Sequence, residues 1–102
     1  GRNVMYMPNA FTPGKDGVND VFLPVGLWND VSFYSFSIWN RWGKKLFETQ
    51  DPHIGWDGYC SNEKDGKCQQ GGYLYKLSYS DMYGAFRDTM GTFLLIRDAP
   101  KP

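Results

Sequence analysis

Turn-forming pairs interrupt this chain at short intervals, at Pro13-Gly14, Asp16-Gly17, Trp42-Gly43, Asp57-Gly58, Asp65-Gly66 and Tyr83-Gly84. Punctuation of this kind leaves no long stretch with the 3.6-residue apolar period of an amphipathic helix. The segments between the turns are short and rich in aromatic and β-branched residues, which is the pattern of strands joined by tight turns. At 102 residues there is room for one domain, and four Trp, seven Tyr and seven Phe provide large apolar side chains to fill its interior. The expectation is an all-β fold, an immunoglobulin-like antiparallel β-sandwich of about seven strands.

The alternation within each segment predicts which side chains face inward. Strands are expected over residues 4–7 and 21–23, ended by Pro8 and Pro24, since proline has no amide to donate to a ladder. Over residues 31–40, Tyr34, Phe36 and Ile38 share one face, and Phe33, Ser35, Ser37 and Trp39 the other; the first set is the better core. Arg41, Trp42, Gly43 and Lys44 read as a hairpin loop with Gly43 at positive φ, leading to Leu46 and Phe47. Tyr73, Tyr75, Leu77 and Tyr79 then alternate against Leu74, Lys76 and Ser78. Asp81, Met82, Tyr83 and Gly84 form the next turn, followed by pairing over 85–88 and a last strand over 92–97. Phe93-Leu94-Leu95-Ile96 is apolar on both faces, which predicts a central or covered strand. Trp56, between the bend-forming Gly55 and Gly58, is expected to plug the core.

Eleven Lys and Arg balance eleven Asp and Glu, with no block of either sign, so bulk attraction to nucleic acid or anionic lipid is unsupported. A partner is to be sought through shape and apolar contact. No apolar run approaches the roughly 20 residues of a membrane-spanning helix. Gly1-Arg2-Asn3-Val4 lacks the basic start and apolar stretch of a secretory leader, and there is no initiator Met, so residues 1–102 are expected to be a single domain cut from a longer polypeptide. Cys60 and Cys68 flank a polar loop containing Asn62, Lys64, Asp65, Gly66 and Lys67. Two arms leaving such a loop bring the thiols together, and the expected disulfide implies an oxidising, extracytoplasmic setting; the alternative is two free surface thiols. With two Cys and one His, a four-ligand zinc site is not supported.

Pro8-Asn9-Ala10-Phe11-Thr12-Pro13, followed by Asp16-Gly17-Val18-Asn19-Asp20-Val21-Phe22, resembles the opening of the gliding motility-associated C-terminal domain, the type B sorting domain of the type IX secretion system of the Bacteroidota. Asn40-Arg41-Trp42-Gly43 and Gly55-Trp56-Asp57-Gly58 resemble its two central motifs, Gly71 with Tyr73 and Tyr75 its glycine-tyrosine strand, and Gly91 with Leu95-Ile96-Arg97 its terminal strand. The motifs occur in the family's order. Three departures stand out: Gly14-Lys15 in place of Asn-Gly, Gln69-Gln70 where the family has a proline, and the extension from Asp98 to Pro102. The resemblance implies a C-terminal address on a large secreted or surface protein. Cargo domains would precede it in the same chain, and the folded domain would be recognised non-covalently by the outer-membrane type IX machinery and a type B partner protein. The implied route runs through the periplasm to the cell surface or extracellular space.

Partner recognition is expected at Arg41 and Trp42 in the hairpin loop and at Gly91, Thr92, Phe93, Leu94, Leu95, Ile96 and Arg97 in the terminal strand. That strand could complete the sheet or pair its edge with a partner, and completion is the reading preferred. Asn40 could cap the hairpin with Trp42 folded over the sandwich edge, or Trp42 could protrude as an anchor. Trp39, Phe33, Ser35 and Ser37 could form a sugar-stacking platform, the basis of an alternative role as a carbohydrate-binding module; a structural spacer is a further alternative. Asp16, Asn19 and Asp20 around Gly17 invite a calcium site, yet calcium wants 6–8 oxygens and Lys15 adds a repelling charge, so an Asx-turn network is the simpler account. Catalysis finds little support: His53, the one histidine, sits in a loop, and no nucleophile motif is present. No cofactor is expected.

Overall fold

A computed structural model of the chain describes residues 5–13, 20–26, 28, 31–60, 66–81 and 83–97. Seven strands form among them: β1 (Met5–Tyr6), β2 (Ala10–Phe11), β3 (Val25–Gly26), β4 (Tyr34–Trp39), β5 (Lys45–Thr49), β6 (Gly71–Ser80) and β7 (Phe86–Leu95). They make a two-stranded sheet, β1-β3, and a five-stranded sheet in the order β2-β7-β6-β4-β5. No helix occurs among the described residues. The all-β, two-sheet architecture read from the turn pattern is therefore the fold, with one parallel pair, β2 against β7, in an otherwise antiparallel arrangement.

The register follows the alternation. Phe36 lies opposite Leu77 and Ile38 opposite Tyr75 on the inner face, while Ser37 lies opposite Lys76 on the outer one. Phe11, Phe22, Phe36, Ile38, Trp56, Leu77, Phe93 and Leu95 form the buried core, with Tyr73, Tyr75 and Tyr79 packed against it. Phe22 stacks on Phe93 at 3.8 Å between ring centroids, and the Trp56 ring stands edge-on to Tyr73 at 5.3 Å. Burying one such ring is worth about 1.5–3 kcal/mol, so the aromatic content is consumed largely in filling this small interior. Trp56 occupies the place expected of it.

Several boundaries differ from the sequence reading. Residues 21–23 make no strand: Phe22 forms an isolated bridge with Trp56, exchanging backbone bonds of 2.8 and 2.9 Å, and the strand starts after Pro24. The segment around Ala10, where no strand was expected, pairs with the end of β7, where burial of Phe11 against Phe22, Trp56 and Phe93 draws its backbone to that edge. The two segments expected at 85–88 and 92–97 are one strand with Gly91 at its middle. Gly91 faces Tyr75, whose ring lies over it; an added Cβ would meet the Tyr75 hydroxyl oxygen at 2.8 Å and ring carbons at 3.0 Å. The glycine is a matter of space for a cross-strand aromatic ring, not of a turn. The 93–96 run is not covered on both sides: Phe93 and Leu95 are buried, but Leu94 is 51% and Ile96 40% exposed. No second layer reaches the outer face there among the described residues.

Candidate recognition surface

The hairpin between β4 and β5 is held by Asn40. Its backbone amide donates to the Lys44 carbonyl, and its side-chain Oδ1 accepts from the amides of Trp42 and Lys44, each at 2.9 Å. Gly43 sits at φ 88°, which lets the loop close in the left-handed conformation. Asn40 thus caps the hairpin as expected, but Trp42 does not fold back over the sheet: it is 79% exposed, with the Arg41 guanidinium carbon 5.0 Å from its ring centroid. Beside it opens a cleft of about 170 Å³ lined by Arg41, Trp42, Gln69, Gln70, Gly72 and Tyr73, among others. Arg41 is the only charged residue among the described residues of that lining.

The predicted terminal-strand residues divide by parity. Phe93 and Leu95 belong to the core and cannot face a partner while the domain stays folded. Thr92, Leu94 and Ile96 point outward and are exposed. Arg97 is committed to the fold. Its Nε donates to the Cys68 carbonyl at 2.9 Å, its Nη2 to the Gly58 carbonyl at 2.7 Å, and its backbone amide to the Gln70 side chain at 2.9 Å. Those acceptors lie on the arm carrying the Cys60–Cys68 disulfide, whose Cα atoms are 5.0 Å apart. The expected disulfide is present, and Arg97 is the buckle that fastens its arm to the end of β7. Gly58 must be glycine twice over, for its φ of 84° and because a Cβ would press on Arg97 Nη2 at 3.3 Å.

The outer face also carries Met90, which sequence reasoning did not assign to recognition, near the exposed aromatics Phe86 and Phe33. Met90 is 61% exposed and Phe86 60%, with Phe33 beside it at 5.6 Å. Together with Leu94 they draw an apolar stripe along β7; the parity signal was legible, but the division of β7 into two strands obscured it. Trp39, in contrast, is not an open platform. Lys76 Nζ lies 4.4 Å and Lys45 Nζ 5.5 Å from its ring centroid, and its indole N–H donates to Ser37 Oγ at 2.9 Å. A sugar ring would have to displace two cations.

Asp16 and Asn19 lie outside the described residues, while Asp20 is described and half-buried. Among the described residues no three His, Cys, Asp or Glu side chains gather to hold a metal. The pKa shifts belong to structural groups. At Asp81 desolvation opposes ionisation, yet the amides of Ala85 and Tyr83 and the Arg87 guanidinium outweigh it and hold the carboxyl below its ordinary value. At Asp51 the His53 backbone amide, then the His53 ring, does the same. Burial, followed by the nearby Asp51 charge, raises Tyr34 well above the usual phenol range.

The sequence profile of the family described as CHU_C Type IX secretion signal domain matches residues 5–95. No curated protein and no solved structure matches the chain.

Proposed function

The chain belongs to the CHU_C type IX secretion signal domain family, and on that premise we propose that it acts as a folded address. In this reading it sits at the C-terminus of a larger exported protein, and the outer-membrane secretion machinery with a type B partner recognises its surface without covalent chemistry. The observation that carries the proposal is the extent of the match. Residues 5–95 run from β1 to the last residue of β7, so the signal is spread over the whole sandwich. A signal held in a short tail would need only an extended segment; one spread over strands distant in sequence is presented only when they are packed together. The outward side chains of β7 and the Arg41-Trp42 tip are the contacts this reading favours, because both are exposed, the tip carries the Arg and Trp that anchor interfaces, and β7 presents Phe86 and Met90.

Membership of a secretion signal family supports the sorting role over an enzymatic one. The carbohydrate-binding alternative loses its platform to Lys45 and Lys76. The test is to place the chain behind a fluorescent reporter that carries a periplasmic leader, in a host with the type IX machinery. Reporter on the cell surface or in the medium is the expected result. A reporter that stays in the periplasm with its domain folded sinks the proposal.

A further inference from the structure

The edge of β7 is unfinished. Leu94 and Ile96 donate their amides to Asn9 and Phe11 on the β2 side, at 3.0 Å each. Backbone direction alternates along a strand, and the β6–β7 register runs unbroken from Ser80↔Phe86 to Gly71↔Leu95. The amides and carbonyls of Asp88, Met90 and Thr92 therefore point to the same side as those of Leu94, and β2 ends before reaching them. No backbone partner meets them among the described residues. An open strand edge beside an exposed apolar stripe is a template for another strand, and proteins ordinarily blunt it with proline, lysine or a bulge. β7 has no proline, lysine or bulge over residues 86–95, and of its two charges Arg87 is tied to Asp81 and Asp88 is left on the outer face.

A second copy of the chain is a poor occupant. Antiparallel registers that use the whole edge drive the 81–85 turn of one copy into β2 of the other. A two-fold register centred on Asp88 sets Asp88 against Asp88, a like-charge pair that destabilises a ladder. The same carboxylate indicates what does fit. Asp88 accepts a hydrogen bond from Ser78 Oγ but meets no cation among the described residues, and it is flanked on the outer face by exposed Phe86 and Met90.

We infer that β7 is completed by strand addition: an extended segment of the export partner, carrying a Lys or Arg between two apolar residues on one face, pairs with Asp88, Met90 and Thr92 where β2 leaves off. The inference rests on the sorting reading and names how recognition is made. The backbone supplies affinity, and Asp88 with its apolar neighbours supplies selectivity.

Two measurements test it. In the free chain, hydrogen exchange at Asp88, Met90 and Thr92 should be fast while Arg87, Thr89 and Gly91 are protected; equal protection across the six overturns the free edge. In the reporter assay, Met90→Pro removes an edge amide without touching the bonds to β6, and Met90→Leu keeps the amide and the bulk. Export should fall about tenfold for Met90→Pro and for Asp88→Lys and stay within about twofold for Met90→Leu, tenfold being about 1.4 kcal/mol of recognition. Export of folded Met90→Pro at the Met90→Leu level overturns the inference. If the proline variant melts below the assay temperature, Asp88→Lys decides alone, and its export at the unaltered level is equally fatal. Retention of the unaltered fusion removes the sorting reading itself, which separates the two failures.

Discussion

Tyr34 carries its hydroxyl into the interior, 4% exposed, where the oxygen finds no hydrogen-bond partner among the described residues. An unsatisfied buried polar group costs roughly 1–3 kcal/mol, so Tyr34→Phe is expected to stabilise the domain by about 1 kcal/mol, read from chemical denaturation. The same residue sets an alkaline limit. Its folded pKa lies above the ordinary value of 10.0, so its stabilising contribution is complete below that pH and is lost as pH rises above it, where the unfolded chain ionises more readily. The melting temperature of the unaltered chain should therefore fall more steeply above pH 10 than that of Tyr34→Phe; parallel curves would remove this assignment. That Tyr34 faces inward was legible in its alternation with Phe36 and Ile38. That its hydroxyl lacks a partner was not, since partners come from segments far away in sequence. Trp42 teaches the same at the surface: Asn40 revealed the cap, but which way the indole turned depended on what neighbouring strands left open.

Strand β7 binds the recognition surface to the core through a single alternation. Phe93 and Leu95 are fully interior, whereas Leu94 and Ile96 are outside, so a segment that reads as uniformly apolar serves packing on one side and contact on the other. At its middle, Gly91→Ala would force a methyl group against the Tyr75 ring. The expected loss is about 1–3 kcal/mol, as for other overpacked sites. In a Tyr75→Leu background the added penalty should shrink, and a double-mutant cycle measures the coupling; strictly additive losses would mean that Gly91 is needed for some other reason. The sequence reading placed separate strands over 85–88 and 92–97, and glycine ordinarily weakens a strand interior. A ring donated from β6 reverses that rule, and only the cross-strand register of Tyr75 with Gly91 reveals it.

At the scale of the whole molecule, Arg97 fastens the Cys60–Cys68 arm to the end of β7. The disulfide spans a sequence separation of 8, a loop whose closure stabilises by about 2–3 kcal/mol on the chain-entropy account. Reduction, or Cys60→Ser with Cys68→Ser, should lower the melting temperature by roughly 10–20 °C; an unchanged melt would show that the arm is held by Arg97 alone. Local information was enough for β1, β4, β5 and β6, the inward faces of β4 and β6, the hairpin at Gly43, the cysteine pair and the family, because turn chemistry, alternation and short spacing act between neighbours along the chain. Distant contacts settled the rest. β2 docks in parallel beside β7 because Phe11 must reach the aromatic core, Arg97 turns back to the carbonyls of Gly58 and Cys68, and β2 stops short, so that among the described residues no backbone partner meets Asp88, Met90 and Thr92. Each of these depends on which segments meet across many residues of intervening chain, and hydrophobic periodicity carries no record of that meeting.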